Sequence, residues 1–223
     1  MTAVLSPPQT TPPQEYFEGR IVLHGISWQT YERLLEDLAD CSAPHLTYDQ
    51  GELEIMSPTA LHNRVNRAIE ALVTLTSLEI EVEVLSLGST TFKREDIERG
   101  FEPDSCFYAK NESRIREKRE IDLRFDPPPD LVVEIDVTSS AIDKLALFAE
   151  FGVPEVWRYK DGQFDILELF SGSYRSVETS FVLPFITAQI LTDLVAQSLT
   201  LTPLEWKKKV RAWARQVKRS RQQ

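Results

Sequence analysis

Residues 127–144 read PPPDLVVEIDVTSSAIDK, an apolar, β-branched strand pattern into which Glu134 and Asp136 are set. A strand this rich in Val and Ile is suited to burial, and a buried carboxylate without a partner is costly. Either the strand end faces solvent, or something neutralises the two acids, and a metal ion is the sharper of these alternatives. Glu134 and Asp136 are two residues apart, so they project from one strand face with about 6–7 Å between their Cα atoms.

Two Pro-Asp pairs precede them, Pro103-Asp104 and Pro129-Asp130. Asp130 would share the strand of Glu134 and stand about 13 Å away at ~3.3 Å per residue, too far for one ion with ligands at about 2.0–2.5 Å. Asp130 therefore reads as a polar strand entry after a proline. Asp104, 30 residues before Glu134, is free to lie on a neighbouring strand and face the same point. Lys144 follows on the next helix. An aspartate, a glutamate and a lysine so placed could hold Mg²⁺ and a water. In a chain that is 27% charged, the same three residues could equally be an unrelated scatter of surface charges.

Working outward, SWQTYERLLEDLAD (27–40) has helical spacing of Tyr31, Leu34, Leu35 and Leu38 behind an N-capping Ser27. HLTYDQGELEIM (45–56) alternates around Asp49-Gln50-Gly51 as a hairpin. Residues 57–79 form the clearest helix, with Val65, Ile69, Leu72, Val73 and Leu75 in its stripe. Strands are expected over 80–88, 90–94 and near 103–109, followed by a charged stretch over 110–126 that reads as a surface excursion or an exposed helix. A helix over 141–151 leads into an antiparallel meander over 155–178, with turns at Asp161-Gly162 and Ser171-Gly172-Ser173. Helices near 187–198 and from Pro203 close the chain. The alternation suggests α/β or α+β, and the fold expected is α/β, a central mixed β-sheet flanked by helices.

The bulk properties narrow the class. At 223 residues, 42% of them hydrophobic, one domain suffices, expected over 16–202 after a proline-rich, disordered lead-in over 1–15. No run is apolar enough to span a membrane, and the N-terminus lacks a secretory pattern. Cys41 and Cys106 build no disulfide framework and no CxxC metal motif, so a reduced cytoplasm is the expected setting. The net charge of −10 is uneven: eight Lys or Arg from Lys207 to Arg221, against Glu205 alone, leave the first 204 residues at −17. That basic segment, 203–223, carries an apolar stripe of Trp206, Val210, Trp213 and Val217. It could dock on the body, dock on a second subunit, or contact DNA phosphates.

Pro103-Asp104, Glu134-Ile135-Asp136 and Lys144 resemble the core of PD-(D/E)XK nucleases. The frame GELEIMSPTALH (51–62), FEPDSCFY (101–108) and PDLVVEIDVTSSAIDKLALFAEFGVPEVWRY (129–159) resembles a bacterial family of restriction-endonuclease-like proteins, formerly a domain of unknown function. The likeness spans about 45–185, with GVPEVW (152–157) its most specific piece. It departs where Ile135-Asp136 follows Glu134 with no lysine, where Gln50 stands in the family's DGE, and at Val156, where the family has tyrosine. The lysine is moved to Lys144.

The resemblance implies a restriction-endonuclease-like core and Mg²⁺-dependent hydrolysis of DNA, with Mn²⁺ as a substitute and a homodimer as the working form. It implies Asp104 and Glu134 as metal ligands with the Ile135 carbonyl, Lys144 as catalytic lysine, and Glu52 and His62 at the family's acidic and histidine positions. His62 could orient a phosphate or water, or be an N-terminal helix residue satisfied locally. Asp136 could be a further ligand or the ion partner of Lys144. The alternative function is a catalytically weak nuclease fold that binds nucleic acid or a protein.

Overall fold

Ser27 caps the first helix by accepting from the Thr30 amide at 3.2 Å, and Thr59 caps the second by accepting from the His62 amide at 3.2 Å. The computed structural model describes residues 19–41, 43–136, 140 and 142–221; the lead-in expected over 1–15 lies outside them. In chain order the elements are β1 (Gly19–Leu23), α1 (Trp28–Asp37), β2 (His45–Asp49), β3 (Glu52–Ser57), α2 (Ala60–Ile80), β4 (Leu85–Gly88), β5 (Phe92–Arg94), β6 (Arg99–Phe101) and β7 (Ser105–Tyr108). Then follow α3 (Glu112–Ile115), β8 (Leu131–Asp136), α4 (Lys144–Glu150), β9 (Glu155–Lys160), β10 (Gln163–Phe170), β11 (Ser173–Val177), α5 (Ala188–Ser198) and α6 (Pro203–Arg221).

The central sheet is mixed, in the order β11-β10-β9-β8-β7-β4, with β8 and β9 parallel and every other pair antiparallel. Within the central sheet, the β8–α4–β9 connection carries the longest crossover helix, and it makes the parallel pair. Alternation sorts the strands' two faces. Phe107, Leu131, Val133, Ile135, Trp157 and Ile166 face one core with α2, α5 and α6; Cys106, Tyr108, Val132 and Val156 face another with Leu147 and Phe148 of α4.

A second, five-stranded antiparallel sheet, β1-β3-β2-β6-β5, was not legible as a sheet beforehand. Its Phe92 and Phe101 join the α4 core, and Leu46, Tyr48 and Leu53 take the Trp28–Tyr31 face of α1. The hairpin between β2 and β3 turns on Gln50 and Gly51, both at positive φ, 47° and 101°. Gly100 on β6 leaves room for the Tyr31 ring, on which a Cβ would sit. Gly100→Ala is therefore expected to destabilise the protein by about 1–3 kcal/mol through overpacking, read as a lower urea midpoint with an unchanged slope.

Two boundaries differ from those expected, and the stretch over 110–126 takes a form between its two alternatives. Residues 80–88 are not one strand: Ile80 still points with Leu72, Val73 and Thr76 into the core, so α2 runs on until Glu81 turns left-handed at φ 59°. The excursion over 110–126 holds one helical turn, α3, and is tied down by Asp130. Asp130 accepts from the Ala109 and Asn111 amides at 2.8 and 2.9 Å and from Asn111 Nδ2 at 2.6 Å. The helix expected from 141 starts at Lys144, where Asp143 accepts from the Ala146 amide at 3.1 Å.

The C-terminal stripe is turned to the protein's own body. Trp206, Val210 and Ala214 are buried on α2 and α5, and Trp206 Nε1 donates to the Leu194 carbonyl at 2.7 Å. Glu79 of α2 receives Arg211 at 2.5 Å and Arg215 at 2.9 Å. Hydrogen bonds from Arg215 and Arg211 hold its carboxyl down to about 2.

Candidate active site

The even-numbered residues of β8 and β9 change character along one face. Val132 and Val156 lie under α4, but Glu134 with Arg158, and Asp136 with Lys160, stand next to each other in the parallel register where α4 begins. A cleft of about 350 Å³ opens there, walled by Glu134, Asp136, Ser140, Lys144, Arg158 and Lys160 among others. Asp104 precedes β7, the other neighbour of β8, and also lies on the even face.

Asp104 is fully enclosed. Its Oδ1 is 2.8 Å from His62 Nε2 and its Oδ2 accepts from the Ile135 amide at 2.7 Å. Burial would raise its pKa, but the His62 hydrogen bond and charge, the Lys144 charge and the Ile135 amide together hold it below the usual carboxylate range. A second histidine, His45 of β2, places Nδ1 at 3.6 Å from the same Oδ1. Burial lowers the pKa of His45, against the pull of Asp104 and Glu102.

Glu134 is nearly inaccessible, at 3% exposure. Lys144 Nζ donates to its Oε1, whereas Oε2 is buried with no hydrogen-bond partner among the described residues. Burial, reinforced by the charges of Asp104 and Asp136 and opposed by Lys144, pushes Glu134 up to about 7. Burial works against the Lys144 charge, but Glu134 first, then Asp104 and Glu54, raise its pKa and keep it an ammonium. Asp136, on the cleft wall, is raised by its burial in spite of Lys144 and Arg158.

The small sheet supplies a fourth carboxylate that sequence reasoning missed. Glu54 of β3 is buried with its Oε1 at 3.9 Å from Lys144 Nζ; Arg20 of β1 donates to that oxygen, and Ser140 Oγ donates to Oε2 at 2.7 Å. The signal was present, since Glu54 sits between Leu53 and Ile55 much as Glu134 sits between Val133 and Ile135. Nothing in the sequence marked Arg20 or His45. Glu52 is not brought to the cleft: at the hairpin end it is half exposed, with His24 Nδ1 at 3.1 Å from its Oε1.

Of the residues expected at a site, the fold thus gathers Asp104, His62, Glu134, Ile135, Asp136 and Lys144, and leaves Glu52 outside. Among the described residues, no three His, Cys, Asp or Glu side chains converge closely enough to ligate one ion. A metal would then rest on two carboxylates, a main-chain carbonyl and water, and the unpartnered Glu134 Oε2 fits such a role.

The fold is a mixed α/β one with acids and a lysine at the strand ends of its central sheet, and the chain belongs to the Uma2 family, described as "Putative restriction endonuclease", whose model matches residues 28–203. The crystal structure of a putative nuclease belonging to DUF820 from Anabaena variabilis ATCC 29413 is similar, at 14% identity and a TM-score of 0.49, covering 72% of this chain and 98% of that one. No curated protein matches the chain. Among the described residues, no helix is long and apolar enough to cross a membrane.

Proposed function

We propose that this chain is a metal-dependent endonuclease that hydrolyses phosphodiester bonds in DNA with a metal-activated water. The observation that carries it is a surplus of enclosed carboxylate over cation, centred on the unpartnered Glu134 Oε2 beside Asp104. A divalent cation suits that deficit. Asp104 and Glu134 would hold it. The Ile135 carbonyl would join them, because a strand residue's N–H and C=O project from one edge and the Ile135 N–H already meets Asp104. Asp136 would contact it directly or through water. Mg²⁺, with Mn²⁺ as a substitute, suits carboxylate and water oxygens, and the bound ion would supply a water of lowered pKa and a counter-charge for the phosphate.

The remaining work falls to the protein's own groups. Lys144 favours the ionised form of Glu134 against its burial and has N–H donors left to hold the attacking water. His62 fixes the orientation of Asp104 and favours its ionised form. Glu54, rather than Glu52, would be the hairpin carboxylate of the site, positioning Lys144 through its charge. A homodimer would need a surface other than the α6 stripe, which is spent on α2 and α5.

The direct test is cleavage of single- and double-stranded DNA and RNA with Mg²⁺ or Mn²⁺, comparing the protein with Asp104→Ala. Cleavage of DNA that vanishes in the variant supports the proposal. Absence of cleavage on every substrate, together with no metal uptake by calorimetry, sinks it.

The affinity for metal carries a pH signature. Glu134 holds its proton up to about 7 and must release it to become a ligand. Mg²⁺ affinity is expected to be full above that pH and to fall about tenfold per unit below it. Calorimetric titrations from acidic to mildly alkaline pH check this, and a flat profile would remove Glu134 from the ligand set.

A further inference from the structure

The cleft contains two cations that neither the carboxylate pair nor Lys144 uses. Arg158 and Lys160 are successive even-face residues of β9, held beside Glu134 and Asp136 by the parallel register. Their alternation with the buried Trp157 is what a strand at the rim of a core produces: odd positions pack, even positions leave the cover of α4 and enter the cleft. Cations at these positions oppose the acids only in part. Arg158 donates to Asp165 across the β9–β10 pair at 3.0 Å, while its Nε is buried without a partner among the described residues. Lys160 is exposed and forms no ion pair with a described residue.

A polyanion approaching this cleft meets Glu134 and Asp136 on its wall, with Glu54 and Asp104 enclosed nearby, in a protein whose first 204 residues carry −17. Such a site repels DNA unless local positive charge takes the phosphates next to the one attacked. Arg158 and Lys160 lie along β9, about 6–7 Å apart at strand spacing, close to the separation of neighbouring phosphates on one nucleic-acid strand. We infer that Arg158 and Lys160 form a phosphate-holding pair that positions the DNA backbone beside the cleaved bond, Lys160 by its free ammonium and Arg158 by a guanidinium already oriented by Asp165. This rests on the nuclease reading above and adds to it the groups that bind the substrate. Both are positioning residues: neither is required to touch the water or the ions.

The test uses the full chain with a fluorescein-labelled duplex oligonucleotide, in Ca²⁺ to suppress cleavage, by anisotropy over a range of salt. Lys160→Ala and Arg158→Gln are each expected to weaken binding about tenfold. Each should also flatten the slope of log affinity against log salt by ~0.9, because one phosphate fewer is neutralised and one counterion fewer released. With Mg²⁺, KM is expected to rise with kcat nearly unchanged, and in Lys160→Ala Mg²⁺ affinity is expected to stay as in the unaltered protein. Because Lys160 is exposed, its variant keeps the thermal midpoint, so a folding defect does not mimic the result. Unchanged affinity and slope in both variants, with the parent protein binding and cutting DNA, would overturn the pair while leaving the nuclease reading intact. A parent protein that binds no DNA at all would overturn both.

Discussion

Lys144→Ala is expected to lower DNA cleavage by about 10²–10⁴-fold, the range for loss of a group that handles a proton or the attacking water. The side chain is 8% exposed, its ammonium bonded to Glu134 Oε1 and 3.9 Å from Glu54 Oε1. Removing it leaves two enclosed carboxylates short of counter-charge, which by itself costs about 3–5 kcal/mol. Glu134 has a way out: it takes up a proton, since burial already raises its pKa. The variant should therefore stay folded, most securely at mildly acid pH, and lose activity throughout. Lys144→Arg is not expected to restore the rate, because a planar guanidinium does not replace a compact ammonium in a buried pocket. The measurement is single-turnover cleavage under saturating Mg²⁺; a rate within a few-fold of the parent would remove Lys144 from the chemistry.

Glu155→Ala should produce the largest loss of stability, at least about 3 kcal/mol out of the ~5–15 kcal/mol usual for a domain. Glu155 is fully buried in β9, and both its carboxylate oxygens accept two hydrogen bonds. Oε1 accepts from Trp157 Nε1 at 2.7 Å and Ser180 Oγ at 2.6 Å; Oε2 accepts from the Phe181 and Val182 amides at 2.6 and 3.2 Å. These bonds pin the segment between β11 and α5 to the central sheet. Alanine would orphan four donors at once in a site closed to water. Glu155→Gln, which keeps acceptor capacity on one side only, is expected to lose less. Urea unfolding of the three proteins checks the order, and equal midpoints would contradict the latch.

This latch bears on how much of the molecule was legible beforehand. GVPEVW was the most recognisable piece of the sequence, yet Glu155 and Trp157 serve the fold: the acid ties a loop, the indole fills the core. Helices with strong 3.6-residue stripes and Ser or Thr caps were readable because those signals are local, as in α1 and α2. The small sheet was readable only in pieces, the 45–56 hairpin and the 90–94 strand, since β5 and β6 are three residues each and take their meaning from pairing, β6 with β2 and β5 with β6. From that sheet Arg20 reaches Glu54 and His45 reaches Asp104, and no pattern within their own segments pointed there.

What the sequence alone determined was the anomaly: carboxylates set into an apolar strand, a lysine on the next helix, and strand arithmetic that separated Asp104 from Asp130. Tertiary structure decided what surrounds them. The even face of β8 is core at Val132 and cleft at Glu134 because α4 starts at Lys144 and covers only what lies beneath it. Whether a strand face is covered depends on where another element ends in space, and hydrophobic periodicity along one strand carries no record of that distance. For the same reason Glu54, two residues from Glu52 on one strand face, reached the Lys144 ammonium while Glu52 stayed at the hairpin's edge.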